Sequence, residues 1–127
     1  ATLYASSSAS DTDFTVKLCD VWADGRSFNV CDGLVRARYL NRSDKPEQIE
    51  PGKVYEFKID MWATATTFLK GHRIRIQVSS SDFPRSDRNL NTGDFSPEAT
   101  EMRTAFQKVM HNTDFRSGVT LPVVDIK

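Results

Sequence analysis

Apolar residues recur at every second position through most of this 127-residue chain, and no window of eleven residues carries a clean helical period of 3.6. That pattern makes half-buried strands and excludes packed helices, so the chain reads as all-β. Thr2-Leu3-Tyr4 reads as a strand already under way. From Asp13 to Trp22, Phe14, Val16, Leu18 and Trp22 share one face, while Thr15, Lys17 and Cys19 share the other. Ala23-Asp24-Gly25 supplies a turn, and Phe28 and Val30 must meet the Val16, Leu18, Trp22 face. This parity demands an odd-numbered loop, and a three-residue loop with Gly25 in the left-handed position meets the demand. In that register Cys19 opposes Asn29 and Cys31 lies on the diagonal, roughly 7 to 8 Å away. Such a separation exceeds disulfide reach, so two free thiols are expected.

Asp32-Gly33 is a second turn or bulge signal, followed by an alternating strand from Leu34 to Tyr39 with Arg36 and Arg38 on its wet side, paired with neighbouring carboxylates. The strand from Lys53 to Trp62 sets Tyr55, Phe57, Ile59 and Met61 against Glu56, Lys58 and Asp60. Lys70-Gly71-His72 turns into a half-buried strand over Arg73 to Ser80, with Ile74, Ile76 and Val78 inward. Residues 94–102 have room for a helical turn, and Thr104 to His111 and Val119 to Val124 read as closing strands. Leu121-Pro122 places the last of these at a sheet edge or a bulge. Several short strands with turns between them, and no helix long enough for a crossover, predict an antiparallel sandwich or jelly roll.

Composition narrows the functions. Seventeen basic residues balance seventeen acidic ones, which leaves no electrostatic footprint for nucleic acid or an anionic membrane. No apolar run is long enough for a membrane span or a secretory apolar region. Two cysteines and two histidines give little material for a metal site, and no cofactor is expected. Asn41-Arg42-Ser43 is a formal glycosylation sequon that informs only in a secreted protein.

Nucleophilic chemistry finds no foothold. Gly25-Arg26-Ser27-Phe28-Asn29 approaches the nucleophile-elbow pattern, yet lacks its final Gly and lies in a hairpin with no helix after it. His72 and His111 read as a turn histidine and a strand-end histidine. Trp62 shares the polar side of its strand, so it is the Trp placed to stack on a sugar ring, although a strand-end Trp more commonly turns under a neighbouring loop. The densest irregular stretch is 79–93, which crowds turn formers, Arg85, Arg88 and Phe83 into a segment without period. Long loops of this kind in compact domains tend to be functional. Two roles are open to it: closing the domain's own end, or docking on another domain.

At this loop a family resemblance emerges. Gly71-His72-Arg73-Ile74-Arg75-Ile76-Gln77-Val78-Ser79-Ser80-Ser81-Asp82-Phe83-Pro84, followed by Arg88-Asn89-Leu90-Asn91-Thr92-Gly93, closely resembles the C-terminal domain of the X-Pro dipeptidyl-peptidase and cocaine esterase family of serine hydrolases. Asp11-Thr12-Asp13-Phe14, Leu18-Cys19-Asp20-Val21, Asp32-Gly33-Leu34-Val35-Arg36-Ala37-Arg38, Pro51-Gly52 and Leu121-Pro122-Val123-Val124 agree with it, so the likeness covers nearly the whole chain. The resemblance implies a jelly-roll β-sandwich, galactose-binding-domain-like, that follows an α/β-hydrolase catalytic domain holding the Ser, Asp and His. It implies no catalytic residue in this chain. Phe83, Pro84, Arg85, Arg88, Asn89, Asn91 and Thr92 match the characteristic loop and become the candidates for packing on that catalytic domain and bordering its cleft.

The resemblance also implies a single domain over 1–127, belonging to the C-terminal part of a larger hydrolase that acts on acyl esters, amides or X-Pro peptides. Family sandwiches begin well before the equivalent of Ala1, so the chain is expected to lack their first strands. It would then oligomerise through an open edge or face, or bind those strands as a separate segment. Residues 94–103 and the Asp125-Ile126-Lys127 tail match no family feature. The reading that competes with an accessory hydrolase domain is a free-standing carbohydrate-binding module centred on Trp62. Substrate identity is not legible, because fold does not fix function.

Overall fold

A computed structural model describes residues 1–41 and 44–124. Arg42 and Ser43 of the Asn41-Arg42-Ser43 sequon and the Asp125-Ile126-Lys127 tail lie outside that set. Among the described residues six strands form in chain order: β1 Thr2–Ser7, β2 Asp13–Val21, β3 Ser27–Arg36, β4 Tyr55–Lys58, β5 Arg73–Ser79 and β6 Gln107–Val109. They make two antiparallel three-stranded sheets, ordered β4-β1-β6 and β3-β2-β5. The architecture is an all-β sandwich.

Alternation decides what the sandwich buries. Leu3 and Ala5 of β1, Phe57 of β4 and Phe14 and Val16 of β2 form the core, together with Ala37, Ile49 and Ile59. The rings of Phe14 and Phe57 meet at 5.0 Å and join the sheets. Glu56, Lys58 and Asp60, the other parity of the same segment, are exposed. The β2–β3 hairpin follows the expected geometry. Trp22 and Arg26 close it through a 2.8 Å backbone bond, and Gly25 takes a φ of +91° that a Cβ would strain. Cys19 opposes Asn29, and both thiols are free.

Several expectations are corrected. Asp32-Gly33 is not a turn, because β3 runs through it; the irregularity lies at Val30, which the register skips between the pairs Leu18–Cys31 and Cys19–Asn29. Gly33 is present for a different reason: a Cβ there would sit 2.1 Å from the carbonyl oxygen of Asp60. The strand foreseen to Tyr39 stops at Arg36 and tightens into a 3-10 turn over Ala37–Tyr39. Only Tyr55–Lys58 of the segment 53–62 is assigned to a strand, although alternating burial continues through Ile59, which exchanges backbone hydrogen bonds with Ala1. Residues 94–102 form no helix, only a turn closed by a 3.1 Å bond from the Ala99 N–H to the Ser96 carbonyl.

The closing strands are also shorter than expected. Gln107–Val109 alone is paired in the first, and Val119 to Val124 form no strand. Among the described residues the last backbone pairing on that side is the bridge between Thr2 and Gly118, beyond which Val119 packs against the core without joining a strand. Strand β5 forms as expected but is exposed along its whole length rather than half-buried. Its apolar residues lie on the core side of the sheet, paired with Val16, Leu18 and Asp20, but among the described residues the opposite sheet covers them only in part, leaving Ile74, Ile76 and Val78 exposed.

Candidate interdomain surface

Loop 80–93 leaves β5 and returns along the second sheet, and the sheet residues explain its course. Lys17 and Asp32 are cross-strand partners on the face opposite Phe14 and Val16. Asp82 lies 3.3 Å from the Lys17 ammonium, and Arg85 pairs with Asp32. Further on, Asp87 meets Arg36, whose Nη1 donates to its carboxylate at 3.1 Å and whose Nη2 donates to its main-chain carbonyl at 3.0 Å. Three ion pairs of alternating polarity therefore hold the loop to β2 and β3.

The return of the loop is fixed from below by buried charge. Asp11 and Asp13 are 0 % and 2 % exposed. Arg36 donates to both oxygens of Asp13 at 2.9 Å, in the parallel two-bond arrangement that suits a guanidinium and a carboxylate. The Arg38 Nε donates to Asp11 at 2.7 Å, its main-chain N–H donates to the same carboxylate at 3.0 Å, and its guanidinium lies 4.6 Å from the centre of the Phe95 ring. The Asn89 amide donates to Asp11 at 2.9 Å and to Asp13 at 2.7 Å, bridging the two carboxylates. A buried charge without a partner would cost several kcal/mol, and here each carboxylate has two or more donors.

The charges respond to these contacts. Hydrogen bonding to Asp13 raises the pKa of Arg36 above its ordinary value, with Asp87 adding to the effect. The Arg36 guanidinium holds Asp87 below the usual carboxylate range. Asp32 is lowered too, first by the Asn29 amide and then by Arg85.

The seven loop residues marked in the sequence divide into two groups. Asn89, Asn91 and Thr92 face the domain itself. Besides the Asn89 bridge, the Asn91 amide donates to the Arg103 carbonyl at 3.0 Å, and the Thr92 carbonyl accepts from the Ser10 hydroxyl at 3.1 Å. Phe83, Pro84 and Arg88 face outward, with Phe83 64 % exposed and the Arg88 guanidinium 5.5 Å from its ring centre, whereas Arg85, though exposed along its side chain, turns its guanidinium back onto Asp32. The loop is thus a fixed stem with an amphipathic tip.

The remaining candidates separate cleanly. Trp62 does not turn under a loop; it is 76 % exposed, with a φ of 62°. His72 fills its turn role, with Nδ1 2.9 Å from the Asp20 carboxylate and its ring 5.3 Å from Trp22. His111 forms an isolated bridge with Arg116. Ser27 opens β3 rather than a helix, so the elbow context is missing. Among the described residues no group of three His, Cys, Asp or Glu side chains is arranged to hold a metal ion. Sequence reasoning gave Arg36 and Arg38 carboxylate partners, but placed them on a solvent face. It missed Asp11 and Asp13 as those partners, although the same i, i+2 spacing in both pairs was the available signal.

The sandwich and the stapled loop define an accessory β-domain. The profile of the X-Pro dipeptidyl-peptidase C-terminal non-catalytic domain matches residues 1–117, and the chain belongs to that family. It is 49 % identical over 126 residues to cocaine esterase of Rhodococcus sp. (strain MB1 Bresler), an alignment covering 98 % of this chain and 22 % of that protein. Among solved structures, an aminopeptidase from a marine sediment Thaumarchaeota archaeon superposes with a TM-score of 0.84 at 36 % identity, over 91 % of this chain and 21 % of the other. An α-amino acid ester hydrolase superposes with a TM-score of 0.77 at 31 % identity, over 89 % and 20 %. The chain therefore spans about a fifth of the length of these hydrolases.

Proposed function

We propose that residues 1–127 act as one accessory sandwich domain of a serine hydrolase of the α/β-hydrolase type, whose substrates are acyl esters, amides or X-Pro peptides. The domain packs on the catalytic domain through the tip of loop 80–93 and helps shape the substrate cleft. One observation carries this reading: Phe83, Pro84 and Arg88 are held outward on a loop anchored by ion pairs, that of Arg85 with Asp32 among them, and by Asp11 and Asp13. An exposed aromatic ring with a neighbouring guanidinium on a preordered loop has the composition of an interface anchor, since little conformational freedom remains to be lost on docking. The names of the relatives support the hydrolase class.

Two measurements test it. The isolated chain hydrolyses neither p-nitrophenyl esters nor X-Pro amides, and activity that disappears on changing one Ser of the chain would overturn the assignment. In the full-length hydrolase carrying this domain, Phe83→Ala and Arg88→Ala lower activity or the cohesion of the two domains while the sandwich stays folded. Unchanged activity and melting temperature would confine the loop to its own domain.

A second reading rests on the exposure of Trp62. An outward indole offers a sugar ring an apolar platform. A glycan array decides between the two: the accessory domain binds no specific sugar, whereas a carbohydrate-binding module binds one and loses it with Trp62→Ala.

A further inference from the structure

Charge is unequally matched on the face of the β3-β2-β5 sheet that carries loop 80–93. Asp82, Asp32 and Asp87 are each answered inside the domain, by Lys17, Arg85 and Arg36. Three guanidinium groups are not. Among the described residues Arg73, Arg75 and Arg88 form no ion pair, and all three are exposed. Arg88 rests against the Phe83 ring. Arg73 and Arg75 lie on the loop's side of the sheet, because Ile74, Ile76 and Val78 take the core side of β5. In register with them stand Val21 and Cys19 of β2, and beyond these Ser27 and Asn29 of β3. Neither row contains a carboxylate to offset two guanidinium groups that the strand sets about 7 Å apart. The next row holds Gln77, Lys17 and Asp32, and there Asp82 and Arg85 anchor the loop. Arg75 is therefore one row, about 7 Å, from the first anchor, and the next residue after Asp82 is Phe83. An exposed ring and a strip of three unmatched cations share one face.

We infer that carboxylates of the catalytic domain match this strip, so that the docking surface comprises the loop tip and the outer side of β5, and the surface it meets is an apolar pocket for Phe83 bordered by acidic side chains. The inference rests on the accessory-domain reading and adds the chemistry of the facing surface. In the hydrolases that this chain resembles, about four-fifths of the protein lies outside the matched part, which is where such a surface would be carried. A polyanion such as nucleic acid is drawn by net positive charge, and this chain has none. A protein surface suits a short basic strip beside an exposed ring, since an aromatic anchor provides the binding energy while flanking charges fix orientation and exclude wrong partners. Guanidinium groups are suited to this use, because their planar forks take carboxylates through two parallel hydrogen bonds.

The test uses the full-length hydrolase carrying this domain, with the 127-residue chain as control. In calorimetry the double variant Arg73→Glu, Arg75→Glu lowers the temperature at which the domains come apart. It also removes the salt dependence of that separation between about 0.1 and 1 M, over which the screening length falls from about 10 to 3 Å. In the isolated chain the same double variant melts within about 2 °C of the unaltered one, because neither arginine has a charged partner there. Arg75→Lys keeps the charge and presents an amine, which a carbodiimide couples to a carboxylate in contact with it. Mass spectrometry then finds position 75 joined to an Asp or Glu outside residues 1–127, and this result stands even where the double variant destabilises the chain itself. No cross-link from position 75, or links only within residues 1–127, overturns the inference, as does a double variant whose domains separate like those of the unaltered protein. Phe83→Ala distinguishes this failure from that of the wider reading. When it lowers cohesion and the charge reversals do not, docking through the loop stands and the basic strip falls; when neither acts, both fall.

Discussion

Arg36 closes on Asp13 with two parallel hydrogen bonds of 2.9 Å, and the same guanidinium reaches Asp87 on the far side. One side chain thereby links the start of β2, the end of β3 and loop 80–93. Asp13 is 2 % exposed, so removing Arg36 leaves a carboxylate in the interior with Asn89 as its remaining side-chain donor. Arg36→Met is expected to cost about 3 kcal/mol in urea unfolding, the scale for breaking a buried ion pair from one side. Asp24→Ala, which breaks the exposed pair with Arg26, should stay within about 0.5 kcal/mol. Equal effects would mean that the Asp13 site is as well solvated as the surface pair.

Asn89 and Phe83 lie six positions apart on one loop and face opposite ways. Asn89→Ala takes a donor from two buried carboxylates and is expected to cost about 2 kcal/mol. Asn89→Asp should cost more, because it sets a third negative group beside Asp11 and Asp13. Phe83→Ala should change the stability of the isolated domain by less than about 0.5 kcal/mol. Chemical denaturation of the three variants checks the order, and a large loss from Phe83→Ala would place that ring in the domain's own packing.

The sequence made the sandwich legible because alternation is a local property: Phe14 and Val16, or Phe57 and Ile59, announce their inward face without reference to any partner. Alternation also marks Ile74, Ile76 and Val78, but it cannot report how far anything covers them, and among the described residues they stay exposed. Val119 to Val124 fail for a related reason: β-branched composition suits a strand, yet pairing requires a neighbour within reach, and backbone pairing with β1 ends at Gly118. The loop was found as an anomaly of composition. Its division into an inward stem and an outward tip depended on Asp11 and Asp13, 76 residues or more away along the chain, which no local pattern connects to Asn89.

Gly33 gives a sharp contrast with Gly118. A Cβ at residue 33 would lie 2.1 Å from the Asp60 carbonyl oxygen and 2.8 Å from Cγ2 of Ile59, so main chain would have to move. At residue 118 a Cβ meets nothing within 4 Å. Gly33→Ala is therefore expected to destabilise the domain by about 3 kcal/mol, at the upper end for an overpacked interior, while Gly118→Ala stays within about 0.5 kcal/mol. Thermal melts of the two variants should differ widely, and similar values would show that the Asp60 segment yields without cost.

Asp87 provides a pH signature for the loop. Its folded-state pKa is held down first by the hydrogen bond from Arg36. A carboxyl group lowered in this way stabilises the folded chain fully above its unfolded pKa of about 3.9, and loses that contribution as the pH falls through the lower folded value. At pH 7 Asp87→Asn should lower the melting temperature relative to the unaltered chain. Acidification should shrink the gap, because below the folded pKa the unaltered side chain is neutral as well. Asp32, lowered first by Asn29 and then by Arg85, follows the same sign, and Asp32→Asn should converge on the unaltered chain over the same acid range. Because the Asp87 side chain is 79 % exposed, solvent screens its pair and the gap should narrow further in high salt. Melting temperatures from pH 7 down to pH 2.5 settle the point: a gap that stays constant would show that Asp87 contributes through its packing and not through its charge.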